Sequence, residues 1–262
     1  MTSLQDLIRK SIVVMPSLHR PEMLAMSLES LSRNNDAENL DVRIFLDTCP
    51  DERVEEVTYV RDTYFPTAEI FNAKGHCKVL SGCWNILNSL KCGYESGKEF
   101  IFLLEEDVIV KPDFIKLHLA IHGSGDYFVT CGRRHGRMPL DFYSNPGTCY
   151  RRESLAKIVP HIHDEFFKDT GAYLDKHFPD QKGLDGLLDD GLIRKVQRSI
   201  GGKVLCIDPP VAFHQGFRYY GKLDPWVNRG TTIQERIKIL RDMLLKVSPE
   251  NRYTRDFEPF QI

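Results

Sequence analysis

No apolar run in this sequence is long enough to span a bilayer. The longest, Phe100 to Leu104, meets Glu105, Glu106 and Asp107 after five residues, where about 20 are needed. Near the start, Ile12 to Met15 is cut short by Pro16, His19 and Arg20, too early for a secretory core. A soluble protein without a membrane span is the expectation. Paired cysteines are also lacking. Cys49, Cys77, Cys83, Cys92, Cys131, Cys149 and Cys206 are odd in number and contain no CxxC, which argues against structural zinc and for a reducing, cytoplasmic setting. Charge of one sign is missing too: 35 Lys and Arg against 37 Asp and Glu leave a net charge of -2. That balance excludes a general nucleic-acid or membrane coat but leaves room for a local basic patch. Neither GxGxxG nor GxxxxGK[ST] occurs, so dinucleotide and Walker-type sites lack their motif. With no repeat or flexible linker, the 262 residues, 42% of them hydrophobic, are read as one continuous domain.

What is there is an alternation of short β-branched runs and helical patterns, the mark of an α/β fold. Strands are expected at Ser11 to Met15, Val42 to Leu46, Thr67 to Phe71, Phe100 to Leu104, Tyr127 to Cys131, Gly147 to Arg151 and Lys203 to Ile207. Helices are expected from Pro21 to about Arg33, and over Glu52 to Tyr64, His76 to Leu90 and Pro112 to His122. Further helices are expected over Glu153 to Ile158, Asp164 to His177 and Thr231 to Val247. Lys182 to Arg194 reads as a glycine-punctuated acidic stretch. The first part, residues 10–125, has the pattern of a nucleotide-binding half with its ligands at strand ends. Residues 126–230 are read as a less regular, acceptor-binding half, and 231–262 as a C-terminal helix and tail.

Three carboxylates at the end of a buried strand repel one another and lose hydration unless positive charge sits beside them. Glu105, Glu106 and Asp107 therefore point to a divalent metal bridging to a diphosphate, with a solvated acidic turn as the alternative. Strand alternation sets Glu105 and Asp107 together and Glu106 apart. His214, after an apolar strand and a proline pair, is a further ligand candidate or an ordinary hydrogen-bonded histidine; manganese accepts an imidazole among oxygens more readily than magnesium. His19, His76 and His135 have weaker claims. Asp189 and Asp190 form a second acidic focus, either a general base for an acceptor hydroxyl or a helix-start cap. Arg194 pairs with Asp190 at helical spacing. Arg133, Arg134 and Arg137 make a basic patch suited to phosphate or simply to solvent. Pro16, Ser17 and Arg20 after the first strand, Asp47 after the second and Lys74 after the third line the rim where a nucleotide would be read.

Taken in order, IVVMPSLHRPEMLAMSLESL, FLLEEDVIVKPDF, LDDGLIRK and CIDPP through FHQG resemble the GT-A glycosyltransferases, nearest to the metal-dependent alpha-1,3-mannosyl-glycoprotein beta-1,2-N-acetylglucosaminyltransferases. The resemblance covers residues 10–225 and implies a mixed central sheet flanked by helices. It also implies Mn2+ or Mg2+ and a nucleoside diphosphate sugar, UDP-linked, as donor. On this pattern Asp107 ligates the metal, with Glu105 and Glu106 completing the acidic triplet and His214 near the metal or diphosphate. Asp47 contacts uracil or ribose, Pro16 and Arg20 line the nucleotide pocket, and Asp190, or else Asp189, is the base of an inverting transfer. The triplet is Glu-Glu-Asp where the relatives more often have Glu-Asp-Asp, and Leu188 or Gly191 stands where an aromatic residue is expected. The acceptor implied is a hydroxyl on a saccharide, a small molecule or a modified nucleic-acid base. Rival readings are a nucleotidyltransferase releasing pyrophosphate and a non-catalytic nucleotide-sugar-binding protein.

Overall fold

A computed structural model describes residues 3–18, 20–47, 51–72, 81–134, 138–182, 186, 188–215 and 230–247. The sheet begins with β1 (Ser11–Ser17), which every position buries because helices cover both its faces. Beside it lie β2 (Asp41–Leu46) and β3 (Glu69–Asn72) on one flank and β4 (Phe100–Leu103) on the other, all parallel. The second half completes the same sheet with β6 (Val129–Cys131), β7 (Thr148–Arg151) and β8 (Val204–Cys206), giving the order β3-β2-β1-β4-β7-β6-β8. β7 runs antiparallel to both β4 and β6, so the sheet is mixed. A separate antiparallel pair joins β5 (Val108–Val110) to β9 (Ala212–His214).

Alternation along the strands divides the core into two layers. Val13, Met15, Phe100 and Phe102 face α2 (Pro21–Ser32), α3 (Asp51–Tyr64) and α5 (Phe114–Ser124). Ile12, Val14, Ile101 and Leu103 face α4 (Ser81–Glu95), α6 (Arg152–Ile158) and α9 (Asp189–Ser199). A short α1 (Leu4–Arg9) precedes β1, started by a Ser3–Asp6 capping box. At the far end α10 (Ile233–Val247) docks on the first layer through ion pairs, Arg236 to Glu22 (2.5 Å) and to Glu56, and Arg241 to Glu29. Among the described residues no helix is long and apolar enough to cross a membrane.

Several elements differ from the sequence expectation. The helix expected over Asp164 to His177 is two, α7 (Asp164–Lys168) and α8 (Thr170–His177). The break falls at Asp169, whose extended backbone frees its carboxylate to accept from the Ala172 amide at 2.9 Å. The third strand is shifted to Glu69–Asn72. The acidic stretch ending at Arg194 is helical from Asp189 onward. Neither α1 nor the β5–β9 pair was anticipated. Residues 76–80 of the helix expected from His76 lie outside the described residues.

Candidate functional site

β1 turns outward to β2 while the chain returns to β4 on its other side, so β1 and β4 flank the switch point of the sheet. In open α/β sheets such a point, at the carboxyl ends of the strands, is where ligands bind. The residues that follow these two strands meet there. After Leu104, a turn carries Glu105, Glu106 and Asp107 into β5. Small polar side chains of α2 brace that turn: Ser27 donates to the Val108 carbonyl (2.8 Å), and Ser30 accepts from the Val110 amide (3.0 Å).

β5 pairs with β9 so that Val108 faces His214, and the Gln215 amide donates to the Asp107 carbonyl at 2.8 Å. This ladder brings His214 to the acidic turn from more than 100 residues away. Its Nε2 lies 3.1 Å from Oδ1 of Asp107. One ligand atom each from Glu105, Asp107 and His214 lie within 4.8 Å of one another. Two hard carboxylates and one imidazole suit Mn2+ or Mg2+ and do not suit a soft thiolate-seeking ion.

Glu106 has a different environment. It is buried, and its carboxylate accepts from the Ser17 hydroxyl, the Leu18 amide (2.9 Å), the Arg20 amide (3.3 Å) and Nε of Arg20 (2.5 Å). Those four donors shape the turn between β1 and α2. Arg20 then reaches Asp107, with a terminal nitrogen 3.1 Å from Oδ2. The guanidinium is thus a built-in cation between two buried acids.

The acids respond differently. Burial, reinforced by the charges of Asp107, Asp189 and Asp190, pushes the Glu105 carboxyl well above the ordinary range. Glu106 is raised by burial against the opposing pull of Arg20. For Asp107 burial is the largest single influence and acts upward, but the hydrogen bond and charge of His214 together with Arg20 outweigh it and hold the group low.

Asp189 and Asp190 open α9, where the helix N-terminus favours negative charge. Asp189 is buried, hydrogen-bonded with the Cys83 thiol of α4, and raised to about 7 by burial and by the charge of Asp190. Asp190 keeps 41% of its side chain in solvent and lies 3.9 Å from Arg194. Gly191 is required here, because a Cβ would stand 1.8 Å from the Gly186 carbonyl oxygen.

Of the remaining expected site residues, Pro16 and Ser17 end β1 as buried positions, and Asp47 is buried beside them, its amide donating to the Ser17 carbonyl at 2.9 Å. Lys74, His19, His76, His135 and Arg137 lie outside the described residues. Arg133 is half-buried and Arg134 exposed, directly after β6. Two residues not singled out from sequence complete the site. Asn85 of α4 ties the ends of β1 and β2 by donating to the Phe45 carbonyl (2.8 Å) and the Ser17 carbonyl (3.4 Å). Asn145 donates to Oε1 of Glu105 at 3.0 Å. A lone asparagine within a helix or loop gives no local signal of either task.

No family model matches the chain, and no curated protein matches it by sequence. Solved structures do. A mannosyltransferase from Pyrobaculum calidifontis, in complex with GDP-Man and Mn2+, superposes with a TM-score of 0.54 at 12% identity, over 89% of this chain and 64% of that one. The galactosyltransferase LgtC, in complex with donor and acceptor sugar analogues, gives 0.51 at 12% identity, over 87% and 94%. Mouse xyloside xylosyltransferase 1 gives 0.51 at 9% identity, over 76% and 84%. At such identities the likeness defines the architecture and leaves donor and acceptor open. The chain has a GT-A-like nucleotide-diphospho-sugar transferase fold, with a mixed central sheet flanked by helices.

Proposed function

We propose that this protein is a metal-dependent glycosyltransferase that moves a sugar from a nucleoside diphosphate donor, UDP-linked, to an acceptor hydroxyl with inversion. The observation that carries the reading is the convergence of Glu105, Asp107 and His214 at the β1–β4 switch point of a GT-A-like fold. Glu105, Asp107 and His214 would hold Mn2+ or Mg2+, and the bound cation would supply counter-charge for the departing diphosphate.

The protein's own groups do the rest. Asp47, beside the end of β1, is positioned to accept from the base or ribose, while Ser17 and Arg20, fixed by Glu106, form the adjoining wall. Asp190, the more exposed of the second acidic pair, takes the proton as the acceptor oxygen bonds to the anomeric carbon and the bond to the diphosphate breaks. Asp189, buried and raised, is the less suited of the two to meet an acceptor. Arg194 at 3.9 Å orients Asp190. Positioning and charge stabilisation account for most of the rate gain.

The test is calorimetric titration of nucleotide diphosphates and nucleotide sugars with and without Mn2+, on the native chain and on Asp107→Ala, followed by product analysis. Metal-dependent binding of one donor that Asp107→Ala abolishes, together with a nucleoside diphosphate as product, supports the reading. Pyrophosphate as product would identify a nucleotidyltransferase. Donor binding without turnover against any hydroxyl acceptor, unchanged in Asp190→Asn, would identify a binding protein.

A further inference from the structure

One chain of hydrogen bonds, buried at its start and part-buried at its end, reaches the acidic turn and has no part in the chemistry above. It starts at Tyr150 on β7, whose hydroxyl lies 2.7 Å from that of Tyr143. The Tyr143 hydroxyl donates to Oδ1 of Asn145 at 2.9 Å, and Nδ2 of Asn145 donates to Oε1 of Glu105 at 3.0 Å. Its direction is fixed by donor supply. In the ionised form that metal ligation requires, Glu105 only accepts, so the amide nitrogen of Asn145 faces Glu105 and its oxygen faces Tyr143. Tyr143 has a single proton and gives it to Asn145, which leaves Tyr150 as the donor to Tyr143. Both tyrosines are buried, so water does not compete for the bond between them, and flipping the amide would set its oxygen against the Glu105 carboxylate.

The same short segment reaches the second acidic focus. The Tyr143 carbonyl accepts from Arg194 at 3.3 Å, and the Arg194 guanidinium lies over the Phe142 ring, 4.4 Å from its centroid. Arg194 in turn is the partner of Asp190. Residues 142–145 therefore touch one carboxylate of each focus, Glu105 directly and Asp190 through Arg194.

The geometry points to Asn145 as a positioning residue: by occupying one oxygen of Glu105 it aims the other at the site shared with Asp107 and His214. Partners of this kind orient a ligand without touching the ion, and removing them typically costs about 10- to 100-fold in metal affinity. The inference rests on the metal-centre reading and deepens it.

Its test is Mn2+ binding to the full chain without nucleotide, followed by the electron paramagnetic resonance signal of free Mn2+. Asn145→Ala is expected to weaken binding by about tenfold or more and to raise the Mn2+ requirement of turnover, with the KM for acceptor unchanged. In a Glu105→Gln background the same substitution should cost less than about twofold, because the group it orients is already altered. Tyr143→Phe, which removes one hydroxyl and little volume, provides a second probe should Asn145→Ala fold poorly; it is expected to weaken Mn2+ by a few-fold. If Asp107→Ala abolishes binding while Asn145→Ala and Tyr143→Phe leave it unchanged, or if Asn145→Ala costs the same in the Glu105→Gln background, the positioning role is overturned and the metal site stands. If the native chain binds no Mn2+, the metal site itself falls, and the positioning role with it.

Discussion

Replacing Arg20 with methionine would keep most of the side-chain volume while removing the positive group that bridges Glu106 and Asp107, at 2.5 Å and 3.1 Å. Breaking a buried ion pair from one side costs about 3–5 kcal/mol, because the remaining charge is left in a poorly hydrated site. Two features favour the lower end. Arg20 retains 20% side-chain exposure, and Glu106 keeps the Ser17 hydroxyl and backbone amides as donors. A loss of about 3 kcal/mol is expected. With an unfolding entropy of ~2.1 cal/mol/K per residue, 262 residues convert this to a fall in Tm of about 5–6 °C. The sharper test is the interaction with metal. A divalent cation on Asp107 replaces part of the missing charge, so saturating Mn2+ should stabilise Arg20→Met more than the native chain and narrow the gap. Urea or thermal denaturation of both proteins, in EDTA and in Mn2+, measures the four stabilities. A gap below about 1 kcal/mol in EDTA, or an equal gain from Mn2+ in both proteins, would refute the view that Arg20 and the metal balance the same carboxylates.

Gly191→Ala forces the Gly186 carbonyl and the start of α9 apart by at least about 1.2 Å, the difference between 1.8 Å and the 3.0 Å that real Cβ contacts respect. A 1 Å displacement of a catalytic group can cost about 100-fold, so, with Asp190 as the proposed base, kcat should fall by that order, with a stability loss of about 1–3 kcal/mol; a kcat within threefold of native would refute the placement of the base at the start of α9. Buried groups make opposing contributions to the pH dependence of stability, as Asp189 and His122 illustrate. Asp189, raised to about 7 by burial and by Asp190, binds its proton more tightly in the folded state, so its contribution declines as pH rises from about 4 to 7. His122, lowered to about 4 by burial, stays neutral when folded, so its contribution declines as pH falls from about 6.5 to 4. Urea midpoints at pH 5 and pH 8 should show Asp189→Asn gaining on the native chain at pH 8; an unchanged difference between the two pH values would contradict a raised Asp189.

β1 and β4 were legible because burial on both faces leaves the unbroken runs IVVM and FIFLL, and the acidic triplet directly follows the second of them. The proximity of Glu105 and Asp107 followed from the same pattern, although the chain there is a turn and no longer a strand. What sequence did not reveal is pairing over long separations. β5 and β9 have three residues each, too few for an alternation signal, and their register depends on each other alone. Strand alternation set Glu106 apart from Glu105 and Asp107 but did not show its partners, which come from the turn after β1, folded back on it. The break between α7 and α8 was hidden because Phe166, Tyr173 and Leu174 keep a helical spacing across it while Asp169 caps the second helix.

The β5–β9 ladder has a consequence for how the molecule is made. Asp107 leaves the ribosome 107 residues ahead of His214, by subtraction of their numbers, which at roughly 5–20 residues per second is a delay of ~5–20 s. During that interval neither the imidazole nor the second strand of the ladder exists, and the acidic turn cannot yet form the proposed metal site. Arg20 is synthesised before any of the three acids and lies in the turn that follows β1, the strand beside β4. The nascent first half therefore carries its own counter-ion, and the acids can be buried against β1 before the residue that completes the site has been added.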